Sequence, residues 1–128
     1  AQALLQQLPK GEESRAGSAF QRVQDQILES MKNGDVSAVA VASALGYSLR
    51  TFYRELRAAG YSYRGLLAHT RHTLARQYLA DPALAQTDVA LLLGYSEQSS
   101  FIRAFRSWTG MTPGEYRSHL TRGAHKQR

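Results

Sequence analysis

Apolar residues recur three or four positions apart along most of the chain, with polar residues filling the gaps. Phe20, Val23, Ile27 and Met31 share one helical face, and Asn33-Gly34 closes that stretch with residues that accept a left-handed turn. An Ala/Val-rich helix follows, with Asp35 or Ser37 as its cap, and Gly46 stops it. The spacing predicts a third helix from a Ser48 cap to Gly60, then a longer one over about 62–80, ended by Asp81-Pro82. A fifth is expected over about 87–93, stopped by Gly94, and a sixth over 96–109, stopped by Gly110. The last helix, over 112–121, has the firmest start. Thr112-Pro113-Gly114-Glu115 sets a capping Thr, a Pro at the first helical position and a Glu three residues after the cap. There is no hairpin signature and no sustained alternation, so the expected fold is all-α with about seven helices.

The chain repeats itself. Val41-Ala42-Ser43-Ala44-Leu45-Gly46-Tyr47-Ser48 reappears as Val89-Ala90-Leu91-Leu92-Leu93-Gly94-Tyr95-Ser96. Each copy runs on into a helix with residues in the same order: Phe52, Arg54, Leu56 and Arg57, then Phe101, Arg103, Phe105 and Arg106. The distance from cap to Phe slips by one residue between the copies. A short helix, a turn at Gly-Tyr-Ser and a second helix make a helix-turn-helix, whose second helix lies in the major groove of DNA. Two such units are expected, over about 35–60 and 87–110, joined by the long helix.

Periodicity separates the inside of each second helix from its outside. Phe52, Leu56 and Ala59 form an inward stripe, whereas Arg50, Tyr53, Arg54 and Arg57 fall at i, i+3, i+4 and i+7 on another face. In the second copy Phe101, Phe105 and Trp108 point in, and Ser99, Arg103 and Arg106 point out with Gln98 beside them. A basic stripe alone is more often a solvated face. Its recurrence on the second helix of both units favours a ligand. A connecting helix of about 18 residues spans roughly 27 Å, against about 34 Å for one turn of DNA. Two unequal readers so spaced would address an asymmetric site on one duplex.

Charge agrees with that reading. The 128 residues carry 16 Lys+Arg against 10 Asp+Glu, a net charge of +6, and 13 of the basic residues are Arg. Residues 1–47 hold four basic and five acidic side chains; residues 48–128 hold twelve and five. Arg's planar fork of donors suits phosphates and guanine edges, so double-stranded DNA is the first partner to consider. With 43% hydrophobic and 20% charged residues the chain can bury one domain's core, and no apolar run approaches the roughly 18 residues of a membrane span. The absence of cysteine excludes a disulfide framework, a thiolate zinc site and a cysteine nucleophile.

The second unit carries a specific resemblance. Gly94-Tyr95-Ser96-Glu97-Gln98-Ser99-Ser100-Phe101-Ile102-Arg103-Ala104-Phe105-Arg106, continued through Gly110-Met111-Thr112-Pro113 to Tyr116-Arg117, resembles the signature of AraC/XylS-type bacterial transcription regulators. The first unit is similar through Ser48, Phe52, Arg54 and Leu56, and the connecting helix through Arg71, Ala75 and Leu79. The resemblance covers about residues 18–120. It implies a C-terminal DNA-binding domain that reads a bent, asymmetric promoter site. Base contacts are then expected from Arg50, Tyr53 and Arg54 in the first unit and from Gln98, Ser99 and Arg103 in the second. Thr51, Arg57, Ser100 and Arg106 are expected near phosphates, as are the helix starts capped by Ser48 and Ser96. One departure is Ala85, where the family often has a Ser or Thr cap; Thr87 could substitute. The resemblance further implies that residues 1–17 are a linker from an absent N-terminal effector domain, with a domain over 18–121 and a basic tail over 122–128. RNA polymerase is the implied protein partner and the cytoplasmic nucleoid the implied location. The isolated domain is expected to be a monomer, and the full-length chain a dimer through the missing domain.

Other chemistry has little residue support. His69 and His72 lie three apart but lack a third ligand at suitable spacing, so solvated helix surface is expected there and no metal or other cofactor. His119 and His125 sit near the basic tail. Scattered Ser and Asp form no nucleophile constellation and there is no phosphate-binding glycine loop, so no catalytic residue is expected. Trp108, Phe101 and Phe105 are expected in the core, and Tyr47 and Tyr95 as packing residues of the turns. A protein-interaction module for an acidic partner and an RNA-binding role are the competing readings.

Overall fold

The computed structural model describes residues 10–126, with side chains over 17–122. Among these residues it contains seven helices and no strand: α1 (Lys10–Lys32), α2 (Ala38–Ala44), α3 (Leu49–Ala58), α4 (Tyr63–Leu79), α5 (Gln86–Leu92), α6 (Gln98–Thr109) and α7 (Pro113–Lys126). The chain divides between Thr70 and Arg71, within α4, into two compact units. None of the described helices is long and apolar enough to cross a membrane.

The two ends of the fold differ from the sequence expectation. The linker expected over 1–17 lies outside the described residues as far as residue 9, and from Lys10 the chain is already helical. Apolar spacing could not reveal this start, because residues 10–17 lack large apolar side chains. The last helix likewise runs to Lys126, through most of the expected tail.

In the first unit Val23, Ile27 and Met31 of α1 are buried, with Val41 and Ala42 of α2, Phe52 and Leu56 of α3, and Tyr63 and Leu66 of α4. The Phe52 and Tyr63 rings lie 5.5 Å apart, and the Tyr63 hydroxyl donates to the Val36 carbonyl at 2.6 Å. In the second unit Ala75 and Leu79 of α4 pack with Val89, Ala90, Leu93, Phe101 and Phe105. Tyr95, Trp108 and Tyr116 cover that cluster, with Phe105 in edge contact with both Trp108 and Tyr116. The inward stripes of α3 and α6 thus fall where periodicity put them, although Trp108 is half-buried at the margin of its core.

The two turns match bond for bond. Gly46 and Gly94 have φ of 81° and 87°, a region that glycine enters without steric cost. The Tyr47 and Tyr95 amides reach back to the carbonyls of Ala42 and Ala90 at 2.9 and 3.0 Å, and the glycine amides donate to Ser43 and Leu91. This closure satisfies carbonyls that a helix end leaves unpaired, and it fixes the chain's exit direction into the next helix.

Candidate nucleic-acid interface

The helix starts decide how α3 and α6 are presented. Asp35 and Ser37 both act at α2: the Ser37 hydroxyl accepts from the Ala40 amide at 3.1 Å, and the Asp35 carboxylate accepts from the Ser37 amide at 3.0 Å. The Asp35 carboxyl is held below its ordinary range by its bonds to Ser37. Ser48 caps α3, its hydroxyl oxygen accepting from the Thr51 amide at 3.2 Å while its proton goes to Thr51 Oγ1 at 3.0 Å.

The second unit lacks the corresponding caps. Ser96 does not cap α6, which begins after Glu97 without any side-chain cap bond. The extra residue between Ser96 and Phe101 is the reason, since it moves the first helical turn one position past the serine. Nor does Thr87 cap α5. Ala85 holds that position, and only the Asp88 carboxylate reaches back, accepting from the Ala85 amide at 3.4 Å. At α7 the reciprocal pair is complete: the Thr112 amide donates to Glu115 at 2.9 Å, and the Glu115 amide to Thr112 Oγ1 at 3.1 Å. Those bonds to Thr112, helped by the Arg106 charge, hold the Glu115 carboxyl below its usual range.

On α3, Arg50, Tyr53, Arg54 and Arg57 are all exposed and Thr51 is half-buried. Tyr53 leaves 43% of its surface in solvent, unusual for an aromatic residue beside a core. On α6, Ser99, Arg103 and Arg106 are exposed, and Gln98 and Ser100 are half-buried; Ser96 is exposed in the turn. Among the described residues, the guanidiniums of Arg50, Arg54, Arg57 and Arg103 hold no hydrogen bond or ion pair. α6 itself contains no acidic residue. Each unit therefore carries one face of unneutralised, fork-shaped donors on the helix that follows its turn.

Other arginines are engaged inside the fold, which spacing did not reveal. Arg71 donates through Nε to the Leu93 carbonyl at 2.9 Å and through Nη2 to the Gly94 carbonyl at 3.3 Å. Its guanidinium also lies 4.1 Å from the centre of the Tyr95 ring. Burial pushes the Tyr95 hydroxyl pKa up, and the Arg71 charge draws it partly back. In the first unit Arg22 takes the matching place, 5.7 Å from the Tyr47 ring and donating to the Tyr47 hydroxyl at 3.2 Å. Arg117 donates to the carbonyls of Leu79 and Asp81 at 3.0 and 3.2 Å, closing the end of α4. The two turn tyrosines thus pack as expected, Tyr95 against Phe101 of its core, and each also lies under an arginine.

The histidines behave differently from each other. His69 is exposed, with its ring 5.8 Å from Phe20. His72 is not solvated surface: it is half-buried, stacked on Trp108 at 5.3 Å and edge-on to Phe105. The wide aromatic face of α6 extends over α4 there, and helical spacing within α4 alone could not show this.

Comparison with known proteins agrees with the geometry. The family described as "Helix-turn-helix domain" matches residues 41–119. The HTH-type transcriptional regulator VirS of Mycobacterium tuberculosis is 43% identical over 89 residues, 70% of this chain and 26% of its own length. The chain thus spans about a quarter of that relative. A crystal structure of a DNA-binding transcriptional dual regulator from Escherichia coli K-12 matches with a TM-score of 0.67 and 28% identity, over 78% of this chain and 93% of that one. A regulator from Chromobacterium violaceum, described as AraC-type, shares the fold at a TM-score of 0.65 and 22% identity, over 88% of this chain and 96% of that one. With two matching helix-turn-helix units and this coverage, the chain belongs to the AraC-type helix-turn-helix family of transcription regulators.

Proposed function

We propose that the domain binds double-stranded DNA sequence-specifically, with α3 and α6 reading successive major-groove segments of an asymmetric promoter site. The observation that carries this reading is the doubled set of exposed arginines, unpaired among the described residues, on the helix that follows each turn. An unpaired guanidinium can give both forks to guanine O6/N7 or to a phosphate without first breaking an internal bond. Base reading falls to Arg50, Tyr53 and Arg54 in the first unit and to Gln98, Ser99 and Arg103 in the second. Arg57, Arg106, Thr51 and Ser100 contact phosphates. Ser48 contributes through the capped start of α3, whereas Ser96, which caps nothing, acts only through its own hydroxyl. The domain works as a monomer. In the whole regulator an upstream region supplies dimerisation, and RNA polymerase at the nucleoid is the protein partner.

The test is selection of binding sites from randomised duplex DNA at physiological salt, followed by variants on the selected site. Arg103→Ala should cost about 1–3 kcal/mol and relax preference at one base position. Arg106→Ala should weaken all sequences alike and flatten the dependence of affinity on salt. Equal binding of random and selected duplexes would reject the reading in favour of a protein-interaction role. Preferential competition by structured RNA would move it to another nucleic acid.

A further inference from the structure

A groove of about 470 Å³ opens beside the C-terminal half of α3. Tyr53 and Arg57 form one wall, the start of α4 with Ser62, Tyr63 and Arg64 another, and Ser37 with Ala38 the floor near α2. Two of the lining residues are arginines and none is acidic. The nearest acids in sequence are Asp35, whose carboxylate accepts from the Ser37 amide, and Glu55, which lines a separate cavity with Arg22 and Tyr47. Arg64 is exposed and, like Arg57, holds no hydrogen bond or ion pair among the described residues. Two unpaired guanidiniums on one concave surface repel each other, and an anion between them relieves that repulsion.

We infer that this groove seats a backbone phosphate of the bound DNA between Arg57 and Arg64, making Arg64 a phosphate-contacting residue of the first unit. The inference rests on the DNA-binding function proposed above. Tyr53 and Arg57 belong to the same outward stripe as Arg50 and Arg54, so the groove continues the face proposed to read bases. A helix lying in the major groove meets base edges along its middle and a strand's phosphates at its ends. Arg57 is in the last turn of α3, and Arg64, only seven residues on, sits in the first turn of the next helix. An arginine fork matches two phosphate oxygens at once, so a pair of forks can grip a phosphodiester from both sides. A free phosphorylated or carboxylated metabolite shares this chemistry and is the rival occupant.

The decisive experiment measures affinity for a selected duplex over a salt series for the unaltered domain, Arg64→Gln and Lys32→Gln. Lys32 is an exposed cation of the same unit, already paired with Glu29 at 3.2 Å, and so reports the effect of net charge alone. Arg64→Gln should weaken binding about 5- to 10-fold at physiological salt, lower the slope of log affinity against log salt by about 1, and leave base preference unchanged. Lys32→Gln should move neither quantity appreciably. A single neutral methylphosphonate, walked along the duplex, should cost at least as much at one position in the unaltered domain, and less at that position in Arg64→Gln, which keeps only the Arg57 fork. If the unaltered domain prefers its site while Arg64→Gln matches it, the groove assignment fails and the DNA-binding function stands. If the unaltered domain shows no duplex preference, both fail. Saturable binding of inorganic phosphate at Arg64, with an unchanged salt slope in Arg64→Gln, would give the groove to a free anion and overturn the inference.

Discussion

Replacing Arg71 by Ala tests whether the second turn is held by a long-range clamp. The substitution removes a hydrogen bond of 2.9 Å to the Leu93 carbonyl, a weaker one of 3.3 Å to the Gly94 carbonyl and a guanidinium 4.1 Å from the Tyr95 ring. A hydrogen bond to a charged group contributes about 1.5–3 kcal/mol net. The cation–ring contact adds about 0.5–1 kcal/mol at a site that solvent partly reaches. Arg71 is half-buried, and the freed carbonyls recover some water, so the sum should fall to about 2–3 kcal/mol. Urea unfolding should then show a midpoint lowered by roughly 1–2 M with an unchanged slope, taking a slope of about 1–3 kcal/mol/M for a domain of this size. Arg71→Lys keeps the charge near Tyr95 but cannot span both carbonyls, and should recover less than half of the loss. Base preference should be the same in all three proteins. A loss below about 1 kcal/mol for Arg71→Ala, or full recovery by Lys, would refute the clamp.

Three further outcomes test the core, the caps and the acid response. Phe105, fully buried and in contact with Phe101, Trp108 and Tyr116, should cost about 3–5 kcal/mol on truncation to Ala, read by thermal or urea unfolding. Ser48→Ala should cost about 0.5–2 kcal/mol, whereas Ser96→Ala should stay within about 0.5 kcal/mol, because only the first serine accepts an amide at a helix start. Equal losses at the two positions would mean that Ser96 caps α6 after all. For pH, the Asp35 and Glu115 carboxyls sit below their ordinary values of 3.8 and 4.5 when folded. A depressed folded pKa binds fewer protons than the unfolded chain, so the stabilisation is present above those values and is lost as pH falls through the folded ones. Glu115→Gln removes one of these titrations and should make the acid limb of the stability curve shallower; an unaltered limb would reject the Thr112–Glu115 exchange.

Most of this architecture was legible because the chemistry that sets it is local. Gly46 and Gly94 announce their turns, and the apolar stripes of α3 and α6 point inward as their spacing requires. The Thr112–Glu115 pair closes α7 as its residue types demand. Positions governed by distant partners were not legible. Arg71 and Arg117 reach 22 and 38 residues away to carbonyls that no spacing rule connects to them. His72 acquires its stacked, half-buried setting from Trp108 on another helix. The misassigned Ser96 cap is a different case. The one-residue slip between the copies shifts the start of α6 past Ser96, although the Gly-Tyr-Ser turn itself is identical in the two units. The start of α1 and the end of α7 have a third cause: residues 10–17 and 121–126 carry no large apolar side chains, so apolar periodicity has nothing to mark there.

The two units solve one problem with different means. Each must hold a glycine turn firmly enough to aim the helix that follows. In the first unit the flanking helices are locally capped by Ser37 and Ser48, and the arginine over the turn tyrosine is light: Arg22 is exposed and, among the described residues, bonded only to the Tyr47 hydroxyl. In the second unit neither Ala85 nor Glu97 supplies a side-chain cap bond, and Arg71 binds the turn's own carbonyls while lying closer to its tyrosine. Stabilisation has therefore moved from residues next to the turn to one residue on the long helix α4. That shift separates the arginines by task. Those facing tyrosines and carbonyls have their donors engaged inside the fold, while among the described residues Arg50, Arg54, Arg57, Arg64 and Arg103 hold no hydrogen bond or ion pair. On the proposed function every arginine adds to the field that attracts a phosphate backbone, but direct donation to a phosphate falls to this second group, whose forks have no internal bond to break.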